Sequence, residues 1–239
     1  METAYKELKI KSKILDKDID LKIFGKYGFT MLGFPVMSDE YDEKVDLGFV
    51  ESVQNYIVNG LFRIVFLPTV GNRIWKNTNI DWKERSDLHR KYNSFLMDEV
   101  FPRLFRIAGS PSPIITFGCG DAGFFAANTY FRHPDILYGT IAIDAYYNLR
   151  YLCGFDAWDE NCYFNSPMDF LPNLEEQYWL IHLRGKKQIH LIATDRENNS
   201  LSIQENKILS NILTQKGIPH NFEIVPPMDS DIVHNWHSI

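Results

Sequence analysis

One stretch constrains this chain more than any other. It runs Ile114-Ile115-Thr116-Phe117, then Gly118-Cys119-Gly120-Asp121-Ala122-Gly123, then Phe124-Phe125-Ala126-Ala127-Asn128. The apolar, β-branched opening reads as a buried strand. Three glycines follow at once, and an alanine- and aromatic-rich helix follows them. Two chemistries use a strand–tight turn–helix unit of this kind. One holds a nucleophile on a strained elbow. The other lets a phosphate approach bare backbone at a helix N-terminus.

The flanking sequence supplies the setting. Residues 7–15 and 19–24 alternate apolar with polar around Asp16-Lys17-Asp18 and predict an antiparallel hairpin. Residues 29–34 predict a more central strand ending at Pro35, and residues 45–58 a helix stopped by Asn59-Gly60. After an apolar strand over 61–67 comes a long helix over 82–107, with Pro102 marking a kink or break. Beyond the glycine turn, strands are expected at 139–144, 188–193 and 222–225, and helices at 175–183 and 201–215. Residues 145–174 read as an irregular, aromatic-rich, cap-like excursion over the sheet edge. Strands alternating with helices define an α/β class: one domain over 1–239, a mostly parallel central sheet, an N-terminal antiparallel hairpin, and helices on both faces.

Composition removes several functions. A net charge of −6 and the lack of any Lys/Arg run with interleaved aromatics argue against nucleic acid. No apolar stretch approaches the roughly 20 residues that cross a bilayer. Met1–Glu7 is polar and acidic, unlike a signal peptide. The three cysteines, Cys119, Cys153 and Cys162, are odd in number and lack metal-ligand spacing, so a cytoplasmic setting and no metal or cofactor are expected.

The turn itself can be read in two ways. Gly118-Cys119-Gly120-Asp121-Ala122-Gly123 is a literal G-x-G-x-x-G, and Asp144 ends the next strand where a ribose-binding carboxylate belongs. Against this, the fingerprint normally opens its fold, whereas here a hairpin and two strand–helix units precede it. A hydrolase elbow is small-x-nucleophile-x-small. Gly118-Cys119-Gly120-Asp121-Ala122 fits the small positions, and its nucleophile slot is Gly120, which has no side chain.

Several further blocks carry a resemblance. They are Gly25-Lys26-Tyr27-Gly28-Phe29 running to Phe34-Pro35, Asp46-Leu47-Gly48-Phe49-Val50, and the helix from Tyr92 to Pro102. Phe131-Arg132-His133-Pro134-Asp135 follows the turn. Then come Cys162-Tyr163-Phe164-Asn165-Ser166-Pro167-Met168-Asp169-Phe170-Leu171-Pro172-Asn173-Leu174, Gly217-Ile218-Pro219-His220 and His234-Asn235-Trp236. In order and spacing the chain resembles the bacterial esterase group of α/β-hydrolases, close to the esterase D type. The resemblance covers most of the chain and implies an α/β-hydrolase fold and acyl-ester chemistry. It also implies that the family's nucleophilic serine falls on Gly120. Val36-Met37 stands where a serine- or glycine-rich turn would serve the oxyanion hole, and Pro68-Thr69-Val70-Gly71-Asn72 where the family has an acidic segment.

The resemblance places the catalytic base at His234; read alone, His234 is a histidine on a terminal segment with His237 beside it. The acid should follow the strand ending at Ala193. Asp195 and Glu197 both fit, with Asp195 preferred, unless the loop is simply solvated. A one-residue slip puts Asp121 in the nucleophile slot, where a carboxylate can attack through a covalent ester. The plainer reading of Asp121 is a carboxylate favoured by the positive end of a helix dipole. Cys119 sits at a helix N-terminus, where thiol pKa falls, but Phe117 and Asp121 would occupy its small flanks. Trp158, Tyr163, Phe164, Phe170 and Trp179 are expected either to wall a pocket above the elbow or to pack beneath a long loop. The reading is a degenerate esterase-type α/β-hydrolase, a pseudoenzyme binding an ester-like small molecule or a protein partner, with self-association left open. Hydrolysis through Asp121 and His234 is the alternative, and nucleotide binding a third.

Overall fold

The computed structural model describes residues 5–35, 43–68, 74–75, 77–109, 112–154, 158–185, 187–196 and 200–226, with backbone only for 43–47. The chain opens with a hairpin of β1 (Tyr5–Ser12) and β2 (Lys17–Phe24). Its alternation sets the register: Leu8 faces Leu21 and Ile10 faces Ile19, which buries one face. There follow β3 (Phe29–Gly33), α1 (Glu43–Ser52), α2 (Gln54–Val58) and β4 (Phe62–Phe66). The strands make one eight-stranded sheet in the order β1-β2-β4-β3-β5-β6-β7-β8. From β3 onward every pairing is parallel, and β2 meets β4 antiparallel.

Between β4 and β5 lies the expected long helix, in two parts. Asp81 starts α3 (Trp82–Phe95), its carboxylate accepting the Glu84 N–H at 2.8 Å. The helix then widens into a π-helical turn over Leu96–Val100 before α4 (Phe101–Ala108). Pro102, in the first turn of α4, has no N–H and its ring would crowd a carbonyl four residues back. The widened turn relieves that clash, and the Phe101 N–H reaches five residues back to the Leu96 carbonyl. The break therefore precedes Pro102.

β5 (Ile114–Cys119) lies mid-sheet and feeds α5 (Asp121–Arg132). Then come β6 (Gly139–Ile143), α6 (Arg150–Cys153), α7 (Glu160–Phe164), α8 (Pro167–Phe170), α9 (Gln177–Arg184), β7 (Gln188–Thr194), α10 (Ser200–Gln215) and β8 (Asn221–Val225). Alternate strand residues face opposite ways. Leu32, Val65 and Ile114 join the large core with α3, α5 and α10, while Met31, Ile64 and Ile115 join a smaller one under α1 and α2. Helices thus cover both faces, as in the expected α/β-hydrolase architecture. On the α1–α2 side the face remains partly open as an apolar groove of about 650 Å³ lined by Phe49, Val53, Phe117, Ile141, Ile143 and His190.

Within the excursion at 145–174, loops alternate with three short helices, and Tyr147, Leu149, Cys162 and Leu171 are buried in the main core. Within it the Cys153 thiol donates to the Gly154 carbonyl at 3.3 Å and the Cys162 thiol to the Ser86 hydroxyl at 3.9 Å. Among the described residues no helix is long and apolar enough to cross a membrane.

Two buried polar residues on α10 hold the start of this excursion. Glu205 accepts the Tyr147 N–H at 2.9 Å, and Asn206 accepts the Tyr147 hydroxyl at 2.7 Å while donating to the Ala145 carbonyl at 3.1 Å. Burial raises the Glu205 pKa above its ordinary 4.5, partly opposed by the Tyr147 and Asn148 N–H groups, with Asp169 pushing further up. A carboxyl that binds its proton more tightly when folded stabilises the fold below its unfolded pKa, and that stability is lost as pH rises through the folded value. Glu205→Gln keeps an acceptor for Tyr147 and should remove this decline from the pH–stability profile, read by denaturation across that range. Glu205→Ala should cost about 1–3 kcal/mol by leaving the N–H unpaired.

Candidate functional site: the turn after the fifth strand

At the end of β5 the backbone bends sharply at Gly120, with φ 60° and ψ −124°. This is the left-handed side of conformational space, where L side chains are strained and glycine is not. The Gly120 N–H donates to the Ile143 carbonyl at 2.8 Å, and its own carbonyl accepts the Phe124 N–H at 3.1 Å, the first turn of α5. The neighbours are small because the backbone itself closes in. A Cβ on Gly118 would lie 2.4 Å from the Ala122 carbonyl carbon, and one on Gly123 would lie 2.9 Å from the Ala145 Cβ. Gly120 differs: nothing lies within 4 Å of where its Cβ would be. The turn has the shape that presents a nucleophile, with open space in the one position that points outward.

This geometry decides the register. The strained apex is Gly120, and Asp121 is the first residue of α5. The slipped alignment that would put Asp121 at the apex is therefore not the one the backbone adopts. The Asp121 carboxylate accepts the Tyr146 hydroxyl, and the Tyr146 ring stacks on Phe124 with centroids 6.2 Å apart. Tyr146 escapes sequence reading: it lies 25 positions from Asp121, in a segment without a motif.

Cys119 is half-exposed as a residue, but its thiol is enclosed. That enclosure, with Asp144 nearby, raises its pKa to about 12, Arg196 only partly opposing. A raised thiol pKa weighs against a thiolate nucleophile at this position. The nucleotide reading needs Asp144 for a ribose. Its carboxylate instead accepts the Thr194 N–H at 2.6 Å and the Thr194 hydroxyl at 2.8 Å, tying β6 to β7. A Gly-rich turn deep inside a sheet with an antiparallel second strand is also not the strand order of a dinucleotide fold.

Asp195 follows β7 as expected, and its N–H donates to the Val225 carbonyl at 2.8 Å. Its carboxylate is exposed. His234 and Glu197 lie outside the described residues, as do Val36-Met37 and Thr69 to Asn72. The aromatic wall is placed differently from expectation. Phe164, Phe170 and Trp179 line a cavity of about 450 Å³ with Phe131, Arg132 and His133, at the far end of α5 from Gly120. Tyr163 packs on the main core, and Trp158 lies under the Arg150 guanidinium at 3.5 Å from the ring centre. These residues were misplaced because α5 runs about 18 Å at 1.5 Å per residue, and the excursion crosses its other end.

With the elbow and the strand order in place, the protein class is that of the α/β-hydrolase fold. Comparison with solved structures gives the same fold. The chain is similar to a ferulic acid esterase (TM-score 0.69, 16% identity, covering 98% of this chain and 94% of that one). It is similar to MPT51 (FbpC1) of Mycobacterium tuberculosis (TM-score 0.65, 13% identity, 98% and 94%). It is also similar to FphF, a fluorophosphonate-binding serine hydrolase of Staphylococcus aureus (TM-score 0.62, 14% identity, 98% and 94%). No family model matches the chain, and no curated protein matches it.

The elbow makes a steric prediction. Gly118→Ala drives a methyl into backbone and should cost about 3 kcal/mol or more. Gly120→Ala meets open space and should cost only the positive-φ strain, about 1–3 kcal/mol. Urea denaturation of the two variants measures both; equal losses would show that the open slot is not there.

Proposed function

We propose that this chain is a pseudo-hydrolase: an esterase-type α/β-hydrolase scaffold that has lost its attacking atom and works by binding, either of an ester-like small molecule or of a protein partner. The observation that supports the reading most is the conformation of Gly120. The backbone holds the strained bend of a nucleophile elbow, with room for a side chain and no side chain there. Glycine has no oxygen or sulfur to add to an acyl carbon, and a histidine base has nothing there to deprotonate. Asp121 is bound to Tyr146 and sits inside the helix, which weighs against a carboxylate route. In this reading Asp195 and His234 are the remaining acid and base positions.

Restoring the atom is the direct test. The protein as it stands should turn over no acyl ester, such as a p-nitrophenyl acetate or butyrate, faster than a denatured control. Gly120→Ser should lose about 1–3 kcal/mol of stability to backbone strain. It should also gain esterase activity that disappears again when His234→Ala is added. Turnover by the unsubstituted chain that is abolished by His234→Ala would overturn the reading.

A further inference from the structure

The cavity at the C-terminal end of α5 holds a guanidinium that, among the described residues, forms no ion pair with a carboxylate. Phe164, Phe170, Leu174 and Trp179 form an apolar side of its wall, and Arg132, the last residue of α5, also lines it. Among the described residues Arg132 makes one hydrogen bond, from Nη1 to the Asn165 Oδ1 at 2.6 Å. That same oxygen also takes the side-chain amides of Asn93 at 2.8 Å and Asn128 at 2.9 Å. It is a shared neutral acceptor and cannot balance a cation. Burial lowers the Arg132 pKa to about 10, and among the described residues no carboxylate acts to raise it again. The guanidinium stays charged at neutral pH, partly desolvated, with its other N–H groups available to the cavity.

The surroundings narrow what would fit. His133 is pressed down to about 4 by burial and by Arg132, against a pull from Asp135, so at neutral pH it adds no charge. Asp135 itself accepts the Tyr178 hydroxyl at 3.3 Å. Arg90 is exposed and pairs with Asp87 at 3.2 Å. Glu160 and Glu176 also line the cavity and are exposed. One half-buried fork of donors, an apolar wall and acidic rim residues suit a planar monoanion better than a phosphate dianion. The volume is that of a small-ligand site, with an apolar side and a polar one.

We propose that this cavity binds a small organic carboxylate, its carboxyl group paired with Arg132 and its apolar, aromatic body held against Trp179, Phe164 and Phe170. The site lies at the opposite end of α5 from Gly120 and does not rest on the vacant elbow.

Calorimetric titration of the intact protein with indole-3-acetate, phenylacetate and 3-phenylpropionate tests the proposal, with indole-3-acetamide as the uncharged control. At least one acid should bind saturably at millimolar concentration or below. Indole-3-acetamide should bind at least about tenfold more weakly than indole-3-acetate. Arg132→Met should abolish the difference between acid and amide, and Trp179→Ala should weaken both. Should Arg132→Met fail to fold, seen by circular dichroism, the acid–amide comparison and Trp179→Ala decide alone. Absence of saturable binding by every acid overturns the proposal. So does equal binding of acid and amide, or binding indifferent to Trp179→Ala, which would place the probe in the apolar groove on the other sheet face.

Discussion

The structure depends on how closely the backbone of α5 approaches the end of β5. The approach leaves no room for a Cβ on Gly118 or on Gly123, so the chain must be glycine at both. It forces the connecting residue to positive φ, where glycine again costs least. Both ends of the turn are then fixed, by the Gly120 N–H to Ile143 and the Phe124 N–H to Gly120. This compact joint sets α5 against β5 and β6, buries nearly all of α5, and aims the Gly120 slot away from the core. Fold and candidate site are consequences of the same steric constraint.

Much of this was legible in the residues. The alternation in 7–15 and 19–24 predicts the hairpin, and Gly118, Gly120 and Ala122 fit the elbow. Short elements were not legible. Helices of four or five residues, such as Arg150–Cys153 and Pro167–Phe170, are too short to show a 3.6-residue period, so 145–174 read as irregular. Pro102 announced a disruption, but the widened turn formed ahead of it, where the crowding falls. The residues from 43 to 58 split at Val53, which leaves helical geometry with φ −109° and ψ 12° within a pattern of unbroken helical spacing.

Contacts that join distant segments were the least legible. Periodicity says which face of a segment is buried; it does not say which end of a helix a later loop will cross. Of the aromatic residues of the excursion, Phe164, Phe170 and Trp179 line a cavity at the far end of α5, and Tyr163 packs on the core. The partnership of Asp121 with Tyr146, and the convergence of Asn93, Asn128 and Arg132 on one Asn165 oxygen, arise only once the chain is folded. α5 thus connects two polar ends: an open turn beside the Asp121 carboxylate at its start and an arginine-bearing cavity at its finish.

The central claim is that a hydrolase-shaped elbow stands here without an attacking group. Incubation of the unsubstituted chain with a fluorophosphonate, followed by intact-mass spectrometry, tests it most directly, because such a reagent marks an activated nucleophile without requiring the natural substrate. The account predicts an unchanged mass. A stoichiometric adduct, mapped by peptide sequencing to Asp121, Cys119 or any other residue at the turn, would contradict it.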